Sequence, residues 1–155
     1  MTGVQTCELP IWALASNTVT RNITVAAVND APVLASVEGT VLAYTENDPA
    51  TAITDTLTTA DLDNVNLASA TISISANYVN GEDVLAFTNT ANISGAWNAS
   101  TGVLTLTGAD TVAAYQAALR SVTYQNTSDN PSTLTRTVSF SVNDEIGRAS
   151  CRERG

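Results

Sequence analysis

Residues Thr133 to Val142 read Thr-Leu-Thr-Arg-Thr-Val-Ser-Phe-Ser-Val. In an extended chain Leu134, Arg136, Val138, Phe140 and Val142 fall on one face, and Thr133, Thr135, Thr137, Ser139 and Ser141 fall on the other. This period of two predicts an antiparallel strand with one face buried and one in water. The same alternation recurs at Val19, Arg21, Ile23 and Val25, at Ala70, Ile72, Ile74 and Ala76, and at Arg120, Val122 and Tyr124. Leu104 and Leu106 add another short strand. The interior of the chain is rich in Thr, Val, Ile, Asn and Ser, a composition that suits pleated, half-buried surfaces.

Turn chemistry separates these runs at Asn29-Asp30-Ala31-Pro32, Asn47-Asp48-Pro49, Asn80-Gly81, Thr101-Gly102 and Asp129-Asn130-Pro131. One segment breaks the rule of two. From Asp110 to Leu119 the residues Val112, Tyr115 and Leu119 share a helical face, and Asp110 is placed to cap it. The expectation is an all-β sandwich closed by one short helix near 110–119.

The 155 residues carry a formal charge of -9, with 15 acids, six Arg and no Lys or His. That sign opposes a phosphate backbone or an anionic membrane surface, so nucleic-acid binding is not expected. The Leu9–Ala15 stretch is too short for a bilayer span and lacks the basic flank of a signal peptide, so no membrane insertion is expected either. Residues 1–11, MTGVQTCELPI, and 145–155, EIGRASCRERG, share nothing with the alternating interior. Both resemble a sequencing adapter translated in frame and are set apart from fold reasoning. Three Arg and three acids leave with them, so the charge stays at -9, and Cys7 and Cys151 leave too. A cysteine-free acidic interior has no disulfides to stiffen it, and a bound cation is the expected substitute.

Chemistry concentrates in Ala60-Asp61-Leu62-Asp63-Asn64-Val65-Asn66, placed between two strands. In an extended segment residues two apart share a face, so Asp61 and Asp63 are expected to converge with Asn66 nearby. Two such charges about 4 Å apart repel by roughly 4 kcal/mol at an effective dielectric near 20. Ca²⁺, which accepts six to eight oxygens in adaptable geometry, relieves that repulsion; a solvated Asp/Asn turn is the alternative. Upstream, Ile23 to Val28 runs into Asn29-Asp30-Ala31-Pro32, where proline ends the ladder and holds Ala31 extended. A third acidic turn, Tyr44-Thr45-Glu46-Asn47-Asp48-Pro49, follows an early strand.

In order and spacing these pieces resemble the cadherin-like tandem repeats of large bacterial surface proteins, and more loosely chondroitin sulfate proteoglycan repeats. The resemblance covers about residues 17 to 144 and rests on Asn29-Asp30-Ala31-Pro32, Glu46, Asp61-Leu62-Asp63 with Asn66, Ser100-Thr101-Gly102-Val103-Leu104-Thr105-Leu106, and Phe140-Ser141-Val142-Asn143-Asp144. It departs from the family in its sparse linker and in lacking the Leu-Asp-Arg-Glu motif, for which Gly108 to Arg120 stands closer to the proteoglycan type. What it implies is a cadherin/immunoglobulin-like antiparallel β-sandwich over 31–144, preceded at 12–30 by the closing strand and linker of a previous repeat and itself lacking its last strand. A rival register takes Thr20 to Val25 as a copy of Thr135 to Phe140, in which case the repeat is complete. An open edge left by a missing strand invites strand addition.

The resemblance further implies that Asn29, Asp30, Asp61, Asp63, Asn66 and Asp144 hold Ca²⁺ at the junction with a preceding repeat, and that Glu46 serves the opposite junction. The implied role is that of a non-enzymatic extracellular spacer or adhesion module. Its partners would be neighbouring repeats, and its location the cell surface. With no His, no Lys and no interior Cys, nothing obvious activates the many hydroxyls for catalysis. Glu82 and Asp83 read as a solvated acidic turn. The alternative function is a carbohydrate-binding module attached to a secreted enzyme, with Trp97 as a stacking platform, although Trp97 reads first as a core plug. Arg120 and Arg136, at inward positions, read as paired or snorkelling.

Overall fold

A computed structural model describes residues 16–144; the adapter-like ends and residues 12–15 lie outside that range. Nine strands and one helix follow in order: β1 (Val33–Ala35), β2 (Thr51–Ala52), β3 (Thr58–Ala60), β4 (Asn66–Ala76), β5 (Asp83–Ala86), β6 (Ser94–Asn98), β7 (Val103–Thr111), α1 (Val112–Arg120), β8 (Thr123–Asn126) and β9 (Thr137–Asp144). All pairings are antiparallel. They form a four-stranded sheet β6-β7-β4-β9, a three-stranded sheet β2-β8-β5 and the pair β1-β3.

β4 organises the larger sheet. Its alternation buries Ala70, Ile72 and Ile74, and a register shift between Leu67 and Ser69 inserts one extra residue, so that Leu67 also faces inward. Leu104 and Leu106 from β7, Leu85 from β5, and Tyr115, Ala118 and Leu119 from α1 join the same buried cluster. Both larger sheets and the helix therefore share one core. Val138, Phe140 and Val142 of β9 pack against it half-buried, as their alternation predicts.

The helix forms close to where its period places it, but its cap is Thr111. The Thr111 hydroxyl accepts from Ala114 N–H at 3.1 Å, while Asp110 remains in β7 and turns its carboxylate to Thr111 N–H and the Asn92 amide. Tyr115, fully buried, donates to Gly108 O at 2.7 Å. At Gly108, where φ is 126°, an added Cβ would stand 1.9 Å from Asn92 O, so only glycine lets β7 pass that carbonyl.

Several expected strands are shorter or absent. Thr133 to Arg136 stays outside β9, because the Arg136 guanidinium donates to Ser132 O and Leu134 O and curls the chain around itself. Arg120 ends the helix, and β8 begins only at Thr123. The stretch that precedes Glu46 forms no strand; Glu46 occupies the turn closed by Asp48 N–H to Thr45 O at 3.0 Å. Val19, Ile23, Val25 and Val28 are 82–86% exposed and their segment joins no ladder. Alternation specifies which face to bury, but a strand forms only where another strand and a surface accept it.

Candidate functional site

β3 ends at Ala60 and β4 starts at Asn66, so residues 61–65 form a short loop at one end of the larger sheet. The loop is bent and not extended. Asp61 Oδ1 accepts from Asp63 N–H at 3.1 Å and from Asn64 N–H at 2.8 Å, an Asx turn that folds the carboxylate back on its own backbone. The donated N–H of Asn64, opposed by burial and helped by that of Asp63, holds the Asp61 carboxyl below the usual carboxylate range. Its other oxygen, Oδ2, is shut from solvent with no hydrogen-bond partner.

β9 supplies the next carboxylate. The β4–β9 register sets Asp144 opposite Leu67 and leaves it only 7% exposed. The linker supplies the rest: Asn29 Nδ2 donates to Asp144 Oδ2 at 2.5 Å, and Asp30 N–H donates to Asp63 Oδ2 at 3.0 Å. Asn64 Nδ2 sits among them, 2.6 Å from Asn29 Oδ1, 3.2 Å from Asp144 Oδ2 and 3.3 Å from Asp63 Oδ1. Residues 115 positions apart in the chain thus meet at one point.

Among the described residues no group of three or more His, Cys, Asp or Glu side chains is spaced as a metal site. The Asn64 amide instead donates to the facing oxygens of Asn29, Asp63 and Asp144. The donor set itself is all oxygen and amide, which suits a hard cation, and the solvent-excluded, unpartnered Asp61 oxygen leaves one strong acceptor unused. Turning the Asn64 amide about its Cγ would present Oδ1 in place of Nδ2, since the two ends have nearly the same shape.

The other expected ligands lie elsewhere. Asn66 stands in the ladder opposite Thr111, and Asn64 takes the place expected of it. Glu46 lines a groove bounded by Pro131 to Thr137, at the far end of β9. Asp144 lies seven positions along β9 from Thr137, which at about 3.4 Å each puts the two ends roughly 24 Å apart. The Asx spacing could have identified Asn64, because such a turn brings the backbone N–H three residues on to the Asp61 carboxylate and fixes that residue beside the acids.

A second polar cluster is unlike the solvated turn expected of Glu82 and Asp83. Asp83 is 1% exposed and accepts from Val79 N–H at 2.8 Å, Tyr124 Oη at 2.7 Å, Asn126 Nδ2 at 3.0 Å and Arg136 Nε at 3.2 Å. Glu82 pairs with the other side of the guanidinium at 3.3 Å. Burial raises the Asp83 pKa, but the Tyr124, Val79, Arg136 and Asn126 hydrogen bonds together outweigh it and hold the group below its ordinary value. Every acceptor position is in use, which suits a structural tie between β5, β8 and the chain entering β9. Arg120 donates to Leu57 O at 2.7 Å and ties the helix to β3's approach.

The aromatic pairs meet edge to face. Trp97 and Tyr78 lie 6.1 Å apart at 81°, and Tyr44 and Tyr124 lie 5.1 Å apart at 83°, so neither pair offers a coplanar platform to a sugar ring. No described helix is long and apolar enough to cross a membrane.

No family model matches the chain, and no solved structure matches it. A curated protein similar to it is Halomucin of Haloquadratum walsbyi (strain DSM 16790 / HBSQ001), 35% identical over an aligned stretch of 105 positions that covers 64% of this chain. The chain spans about 1% of that protein's length.

Proposed function

We propose that residues 31–144 are a non-enzymatic, cadherin-like β-sandwich repeat in a very long extracellular protein, and that Ca²⁺ bound between Asp61, Asp63, Asp144 and the incoming linker stiffens its junction with the preceding repeat. The observation that carries this reading is the meeting of Asn29 and Asp30 with Asp63 and Asp144 at one end of the sheet, beside a buried Asp61 oxygen without a partner. The similar stretch in a protein some hundred times longer than the match is in keeping with a module that is one part of a long chain.

Asn64 and Asn29 then act as gatekeepers. Without the ion their amide hydrogens hold the carboxylates together; with it their oxygens, Asp61 Oδ2 and the carboxylates complete the shell. The ion binds the ordered linker and not a loose one, so it stabilises the ordered state by mass action. Affinity in the millimolar to tenth-millimolar range suffices in an extracellular setting.

The test is calorimetric unfolding of the full chain in calcium and in chelator, beside Asp61→Ala and Asp63→Ala. At a calcium concentration about 100 times the dissociation constant, the wild type gains roughly 2.7 kcal/mol, and the variants lose most of that gain. A melting midpoint indifferent to calcium in the wild type overturns the assignment.

A further inference from the structure

Residues 77–82 join β4 to β5, and at the centre of that connection lies the one place where an asparagine precedes glycine. Val79 O accepts from Glu82 N–H at 3.2 Å and from Asp83 N–H at 3.1 Å, so Asn80 and Gly81 stand in the middle of a tight turn. Gly81 has a φ of 88°, as the third residue of a type II turn requires. Both residues are exposed. The turn's bonds use the N–H groups of Glu82 and Asp83 and leave that of Gly81 free.

An asparagine carboxamide lies within reach of the backbone nitrogen that follows it, since attack there closes a succinimide ring. A Cβ on the following residue crowds that approach, and glycine has none. Every other Asn of the chain precedes a residue with a side chain. Asn29, Asn64, Asn92 and Asn126 also commit their amides to hydrogen bonds.

The turn positions the buried Asp83 cluster. Val79 N–H donates to Asp83 Oδ2 at 2.8 Å, Thr127 N–H to Glu82 O at 2.8 Å, and Ser132 N–H to Glu82 Oε2 at 3.1 Å. The length of main chain between Val79 and Asp83 thus sets where both carboxylates meet Arg136.

We propose that Asn80 is a modification site at which the chain reacts with itself. The Gly81 nitrogen, giving its proton to solvent, bonds to Asn80 Cγ; the Cγ–Nδ2 bond breaks, and ammonia departs with a proton taken from solvent. Water then opens the imide at either carbonyl. Opening at Cγ restores the main chain and leaves aspartate. Opening at the backbone carbonyl of Asn80 leaves a β-aspartyl link, whose main chain runs through Cβ and Cγ and is one atom longer. Nothing is oxidised or reduced, and no enzyme or cation takes part. The aspartate product places a charge in solvent, which alters stability little. The β-aspartyl product shifts Glu82 and Asp83 out of register with Val79, and so releases Arg136, Tyr124 and Asn126 from Asp83.

The full-length chain is incubated in warm, mildly alkaline buffer and mapped by peptide mass spectrometry, with fragmentation that separates aspartyl from β-aspartyl links. Asn80 is expected to convert before any other asparagine and to yield both products, whereas Asn80→Gln, with its longer side chain, leaves the position intact. The β-aspartyl form, purified by chromatography, is then compared with the unmodified chain and with Asn80→Asp. Its urea midpoint should fall and the amides of β5 and β8 should exchange roughly tenfold faster, while Asn80→Asp stays close to the wild type. An Asn80 that remains intact, or that converts after another asparagine, overturns the site. A β-aspartyl form with wild-type midpoint and exchange, or an Asn80→Asp variant destabilised to the same degree, overturns the link to the Asp83 cluster.

Discussion

Replacing Asp83 by alanine tests the polar tie that holds the three-stranded sheet to β9. Four donors converge on this carboxylate: Val79 N–H, the Tyr124 hydroxyl, the Asn126 amide and Arg136 Nε, the longest at 3.2 Å. Asp83 is 1% exposed and the Arg136 side chain 12%. Removing the carboxylate leaves a half-neutralised guanidinium and three neutral donors in a space that water does not readily reach. Breaking a buried pair from one side costs about 3–5 kcal/mol. Glu82, still 3.3 Å from the guanidinium, lowers that figure towards the smaller value, whereas the stranded Tyr124 and Asn126 donors raise it. The expected loss is about 4 kcal/mol, against a total of about 5–15 kcal/mol for a domain of this kind. Urea unfolding at neutral pH, followed by far-ultraviolet circular dichroism, measures it as a lower midpoint at constant slope. Removing the cation as well, by Asp83→Ala with Arg136→Met, should cost less than the sum of the two single changes. A loss below about 1 kcal/mol for Asp83→Ala would refute the reasoning, since it would mean that water or a rearranged Glu82 satisfies these groups.

Two further outcomes follow from neighbouring groups. Burial, with the hydrogen bond to Asp83 next in weight, pushes the Tyr124 phenol up to about 12; a pKa raised on folding stabilises fully below the unfolded value near 10 and loses that contribution as pH climbs to about 12. Stability should therefore fall across that window, with phenolate absorbance showing Tyr124 among the late-titrating tyrosines beside Tyr78 and Tyr115, which burial also raises, and Tyr124→Phe should remove one late tyrosine and its share of the pH dependence. At the helix, Thr111→Ala should cost about 1 kcal/mol by chemical unfolding because it strips the acceptor from Ala114 N–H, whereas an equal or larger cost for Asp110→Ala would return the capping role to Asp110.

What was legible in the sequence was local. The alternation at Ala70, Ile72 and Ile74 and at Val138, Phe140 and Val142 identified core faces, because period two is set by backbone geometry alone. The helix was legible for the same reason, although its cap moved by one residue. Val19 to Val28 carries an equally clear alternation and forms no strand, since nothing among the described residues covers it. Pattern thus reports the face that a segment can bury and not whether a partner is within reach. The Asp61–Asp63 pair is legible as a charged loop, but the direction of its side chains is not: extended geometry sets them on one face, whereas an Asx turn bends the backbone here.

The two acidic clusters show how far charge can be read without a structure. Arg136, at an inward position of the alternation, reads as paired or snorkelling, and its low exposure in the structure selects the paired reading. The interior holds few cations, and only acids brought beside β9 could answer it. Glu82 and Asp83 do so, 54 and 53 residues upstream. Asp144 poses the converse problem, with carboxylates gathered where no Arg or Lys is at hand. There the amides of Asn29 and Asn64 supply the hydrogen-bond donors. An amide, unlike a guanidinium, can turn over and offer oxygen instead. The first cluster is thereby committed to a single structure, while in the calcium-bound state proposed above the second exchanges its internal donors for a cation.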